Sequence, residues 1–213
     1  MTPRWILLAA IFASAAHAEI IDRIAVTLDK EVITASEITQ AIRLAAFLNG
    51  DSLDFSVAAR RQAAERLIEQ RLIRREIELG RYAQPAATDV EPMLKAIQAQ
   101  RFPGPRDYQD ALAKYGITEP ELKAHLLWQI TLIRFTDLRF SAGVQITDDD
   151  VRKYFTEHVP QSADKAESRR KFFAMRAEIK QKLTSDQVDQ QMDEWLKDAR
   201  KNAHVEFRPE VHP

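Results

Sequence analysis

Apolar residues change their period three times along this chain, and each change marks a different element. Ile24-Ala25-Val26-Thr27-Leu28 is a β-branched, strand-like run, a polar turn at Asp29-Lys30-Glu31 follows, and Val32-Ile33 resumes the apolar signal. Thr34-Ala35-Ser36-Glu37 then has the spacing of a capping box, in which the Thr34 hydroxyl and the Glu37 carboxylate each satisfy the other's backbone amide. The helix that it starts carries Ile38 and Ile42 on one face. A lone hairpin is not stable in water. The other comparable strand signal is Val205-Glu206-Phe207, close to the opposite end of the chain, so the two ends are expected to meet and close a helical body.

Between them the period is helical. A break at Asn49-Gly50-Asp51-Ser52 precedes a long helix over residues 56–79, with Gly80 expected as its left-handed terminator. Its six arginines are interleaved with Glu65, Glu69, Glu76 and Glu78, the pattern of a face that compensates its own charge. Thr88-Asp89-Val90-Glu91 repeats the capping-box spacing and opens a short helix that the prolines of Phe102-Pro103-Gly104-Pro105 stop. A further short helix over 107–115 ends at Gly116. Thr118 and Glu121 cap a helix running to about residue 140, and Thr147 opens the segment 151–157. After a linker at 159–162, Phe172, Met175, Ile179 and Leu183 recur at helical spacing, and Val188, Met192, Trp195 and Ala199 do so again. These are one long rod or two pieces broken near Thr184-Ser185. The expected fold class is therefore mainly α, a helical bundle or array with a small antiparallel sheet built from the N-terminal strands and a C-terminal strand.

The first residues look like an address. Arg4 precedes an apolar run over 5–16, too short to span a bilayer, and Ala16-His17-Ala18 has the small-x-small form of a signal peptidase site. Residues 1–18 are thus expected to be a cleaved signal peptide, 19–158 a helical domain, and 159–213 a helix and strand packing back on it. Export to the periplasm follows. With 31 basic against 32 acidic residues there is no basic excess for nucleic acid, and with no cysteine, stability must come from packing.

Candidate chemistry is sparse. His125, His158, His204 and His212 form no metal-binding pair at helical spacing, and five glycines include no phosphate-cradling arrangement. The triplet Asp148-Asp149-Asp150 fits a helix N-terminus, where the dipole favours carboxylates, better than a calcium loop. No enzyme and no cofactor are expected. The helix over 122–140 is the unusual element: Leu122, Leu126, Ile130 and Ile133 form one apolar stripe and Trp128, Leu132 and Phe135 another. Such a helix is either buried all round as a central core element or keeps an apolar surface for a partner. In the second case Trp128, Leu132 and Phe135, with Phe47, Met93 and Phe102, are the candidate peptide-binding residues.

The order of signals resembles the N-terminal domain of SurA-like periplasmic chaperones over about residues 20–157. It rests on the strand–turn–capped helix, the run Ala64-Glu65-Arg66-Leu67-Ile68-Glu69-Gln70-Arg71-Leu72-Ile73, the Gly80 stop, the Tyr115-Gly116-Ile117-Thr118 junction and the apolar helix after it. Residues 177–207 look like that family's returning C-terminal segment. The resemblance implies an ATP-independent chaperone, monomer or weak dimer, whose clients are unfolded outer-membrane polypeptides. Where the family usually carries parvulin-type isomerase domains, this chain has about ten residues, so no isomerase residue carries over. The rival expectations are a structural adaptor for one folded periplasmic partner and an isomerase-related enzyme.

Overall fold

A computed structural model describes residues 22–160 and 162–209; the expected signal segment lies outside them. Strands β1 (Ile24–Leu28) and β2 (Glu31–Thr34) form a hairpin, and β3 (Val205–Phe207) pairs with the other edge of β1. The sheet is antiparallel throughout, in the order β2-β1-β3, with Val26 opposite Phe207 and Leu28 opposite Val205. The two ends of the described chain do meet. A bulge at Ala25 shifts the hairpin register, which lets Ala25 and Val26 both face inward although they are neighbours.

Among the described residues, seven α-helices occupy the space between: α1 (Ala35–Asn49), α2 (Val57–Leu79), α3 (Glu91–Arg101), α4 (Pro105–Tyr115), α5 (Glu119–Phe140), α6 (Asp148–His158) and α7 (Lys165–Lys201). The capping boxes open α1, α5 and α6 with Thr34/Glu37, Thr118/Glu121 and Thr147/Asp150. The one expected at Thr88 is not a cap. Residues Ala87–Val90 form a 3-10 turn instead, because the Asp89 carboxylate reaches back to the Ala86 amide and Pro92 then falls in the first turn of α3.

Gly80 also departs from expectation. Its φ is −79°, and Arg81 takes the left-handed conformation in its place. Gly80 is needed for room, since a Cβ there would lie 2.3 Å from the Tyr82 ring. The charges of α2 are spent outward more than along the helix. Arg61 pairs with Glu65, but Arg71 reaches Glu37 and Glu31, Arg75 clamps Asp29 and Glu31 of the hairpin, and Glu65 also takes Arg200 of α7. Helix α2 is thus fastened to the sheet on one side and to the returning chain on another.

The core has four parts. Beneath the sheet, Val26, Leu28 and Ile33 pack on Ile38, Ile42, Ile68 and Leu72. Helices α3, α4 and the start of α5 close around Phe47, Leu94, Leu112 and Leu122. The second half of α5 packs with α2 and α7 through Ile77, Phe135, Phe140 and Val188. Last, α6 meets α7 through Val151, Phe155 and Ile179.

Helix α7 is one unbroken element of 37 residues, about 55 Å long. Its two apolar stripes are not in line. Val188 follows Ile179 by about two and a half turns, which puts the two on opposite sides of the helix. The first stripe is covered by α6 and the second by α5 and α2.

Candidate functional site

This change of side leaves part of α7 without a neighbour. The face that Val188 and Met192 bury against α5 continues toward the N-terminus through Thr184, Lys180, Ala177 and Phe173, where no helix covers it. The result is a cleft of about 800 Å³ between α7 and the second half of α5. Its apolar lining comes from Leu132 and Ile133 on one wall and from Ala177, Val188 and Met192 on the other. Thr136 donates to the Met192 sulfur at 3.4 Å and closes the narrow end. Ile133 is 58% exposed, and Phe173, one turn before Ala177, is 65% exposed. Asp137, Lys180 and Asp189 stand at the rim, and among the described residues none of them is in an ion pair. On α2, by contrast, Arg61, Glu65, Arg71, Arg75 and Glu76 are all in ion pairs.

Of the six residues expected to bind peptide, Leu132 does line this cleft. Phe135 does not: it is 2% exposed, wedged edge-on among Tyr82, Phe140 and Trp195 at centroid distances of 5.2–5.8 Å. Trp128 is half-buried on the same cluster, with the Arg74 guanidinium 4.4 Å from its ring. Phe47 is fully buried and stacks on Phe102 at 5.9 Å. Met93 packs against that cluster, and Phe102 is half-buried at the border of a second, smaller crevice. The second apolar stripe of α5 therefore serves mainly to hold α2 and α7, and only its flank faces solvent.

Phe173 and Ile133 were missed in the sequence for different reasons. Phe173 falls off the Phe172–Ile179 stripe, and an aromatic residue off its helix's stripe is the signal that marks it. Ile133 shares the helical face of Leu126, but α3 and α4 end before they reach it.

His125, on the N-terminal half of α5, is half-buried, and burial lowers its pKa, so the ring is neutral at pH 7. Its Nε2 lies 3.2 Å from the Gln129 amide nitrogen, which a neutral ring can accept. The carboxylates of Asp148 and Asp150 serve structure: Asp148 pairs with Arg176 of α7 and Asp150 caps α6. What the cleft offers is apolar area, a polar rim and hydroxyls from Thr136, Ser141 and Thr184. Among the described residues, no helix is long and apolar enough to cross a membrane. No protein-family model matches the chain, and no curated protein matches it.

Proposed function

We propose that the protein is a periplasmic, ATP-independent chaperone that holds unfolded exported polypeptides, outer-membrane proteins among them. The observation that carries this reading is the uncovered cleft between α5 and α7. Its volume lies within the range of ligand-binding sites, and its lining is apolar with a few polar groups at the edge. An extended client lays alternate apolar side chains against Leu132, Ile133 and Val188, with Phe173 extending the contact. Met192 adds a side chain able to re-pack around unlike clients. Asp137 and Asp189 favour client segments that carry a basic residue beside the apolar ones. The SurA-like order of elements and the export signal in the sequence support the same reading, and the short connection between α6 and α7 makes it a chaperone body without an isomerase domain.

The test is the aggregation of an unfolded outer-membrane β-barrel protein diluted from denaturant. The full mature chain is expected to suppress light scattering at a few-fold molar excess without ATP. Unchanged scattering at several-fold excess would overturn the proposal. A single stoichiometric folded partner recovered in place of many clients would favour the adaptor.

A further inference from the structure

A second opening lies at the far end of α5, where α3, the Phe102-to-Pro105 turn and the first turn of α4 meet. It encloses about 370 Å³. Ala99 and Phe102 of the α3 side and Pro105 and Tyr108 of α4 form its apolar walls, and Gln109 and Glu119 lie at its edge. Phe102 is held by stacking on Phe47 and by the edge of Tyr108 at 5.5 Å, so the walls are set by the core behind them.

Tyr108 is the anomaly. The residue is 3% exposed, and its buried hydroxyl has no hydrogen bond of full geometry among the described residues. Gln98 and Glu119 lie beside it as weak hydrogen-bonding neighbours, Glu119 on the acceptor side, but neither makes a bond of full geometry. Burial raises its pKa above the ordinary 10, so the hydroxyl keeps its proton at neutral pH. The neighbouring Tyr115, by contrast, donates to the Asp51 carbonyl at 2.9 Å. A buried donor left unsatisfied costs stability that an incoming acceptor restores.

We infer that this crevice is a second anchor for polypeptide, taking one aromatic side chain between Phe102, Pro105 and Ala99 while the peptide carbonyl beside it accepts from the Tyr108 hydroxyl. The inference rests on the reading that the protein binds unfolded chains. An aromatic ring suits the walls because rings meet edge to face, as those of Phe102 and Tyr108 already do. The entering carbonyl takes over from Glu119 as acceptor for the hydroxyl and moves the flexible Gln98 side chain aside. Glu119, tied to Lys123 at 3.2 Å, stays to accept the peptide N–H.

The probe is N-acetyl-phenylalaninamide, titrated into the isotope-labelled mature chain and followed by the amide resonances of Gln98, Ala99 and Gln109. Saturable shifts confined to this corner are expected, with N-acetyl-leucinamide several-fold weaker. Tyr108→Phe removes only the oxygen: it should melt no lower than the parent and bind the probe about fivefold or more weakly. Ala99→Phe should fill the crevice and abolish the shifts. A lower melting temperature for Tyr108→Phe with unchanged affinity would make the hydroxyl structural and overturn the inference, as would probe shifts elsewhere or none. If the parent protects the β-barrel client while the probe leaves these resonances unmoved, the crevice falls and the cleft reading stands. If the probe binds and protection fails, the cleft reading falls instead.

Discussion

Asp29 and His204 hold each other although they lie 175 positions apart. The Asp29 amide donates to the His204 carbonyl at 2.8 Å, and the Asp29 carboxylate accepts the His204 amide at 2.8 Å in return. Asp29 sits in the hairpin turn at φ +52°, and His204 is the residue from which β3 departs. Arg75 of α2 completes the junction with a 2.7 Å contact to the other carboxylate oxygen. Sheet, turn and the returning chain are thus joined at one side chain. The ring of Phe207, at the other end of β3, is held under the Arg61 guanidinium at 3.4 Å.

Asp29→Ala removes the acceptor and leaves a residue that dislikes a left-handed turn. Unfolding in urea should become easier by about 1–3 kcal/mol, the range for a lost hydrogen bond to a charged group plus local strain. Asp29→Asn, which tolerates the turn and keeps an acceptor, should lose less. Hydrogen exchange supplies the local readout: the amides of Glu206 and Arg208, which face β1, should lose protection while those of α4 keep theirs.

The same carboxylate gives an acid limb to stability. The His204 amide first, and then Arg75, hold its pKa below the ordinary 3.8. Glu121, bonded by Thr118, and Asp150, bonded by Thr147, are lowered in the same way. Each group binds its proton less readily in the folded state. Its contribution is therefore complete above the ordinary value and is lost as pH falls through the lower, folded one. The urea midpoint should ease down below about pH 6.5, where the lowered pKa of half-buried His125 opposes its protonation in the fold, and drop further below about pH 4. Asp29→Ala should make that drop shallower.

Gly116 ends α4 at φ +64°, and its carbonyl accepts from Arg43 at 3.0 Å. A Cβ there would meet the Arg43 guanidinium at 3.1 Å. Gly116→Ala should cost about 1–2 kcal/mol from the backbone conformation and the displaced arginine together. Calorimetry checks the size, and Arg43→Ala combined with it should be less than additive, since both changes break the same contact.

What the residues disclosed in advance was local. The Thr34/Glu37, Thr118/Glu121 and Thr147/Asp150 caps could be read because a hydroxyl and a carboxylate three residues apart satisfy each other within one turn. The meeting of β1 with β3 was legible because strands need partners and few candidates existed. The cleft was not, because it depends on phase across a helix. Met175 and Met192 each lie on a regular stripe, and nothing local says that the stripes face opposite ways and are covered by different helices. The placement of three candidate residues turns on the same ground. Phe47, Trp128 and Phe135 were singled out for size and aromaticity, the qualities that also fill a core, and which large side chains stay uncovered is decided by where neighbouring helices end.

That distinction can be measured with three side chains. Phe135→Ala empties a space enclosed by Tyr82, Phe140 and Trp195 and should lower stability by about 3–5 kcal/mol. Ile133→Glu and Phe173→Ala alter exposed positions and should each stay within about 0.5 kcal/mol of the parent. Client protection should follow the reverse order. The Ile133→Glu/Phe173→Ala double variant, still folded, should lose most of its suppression of β-barrel aggregation. Phe135→Ala, assayed at a temperature where it remains folded, should keep its own. Equal protection by the parent and the double variant would remove the cleft from the mechanism, because a surface that holds apolar segments through these two side chains cannot be indifferent to a charge on one wall and the loss of a ring from the other.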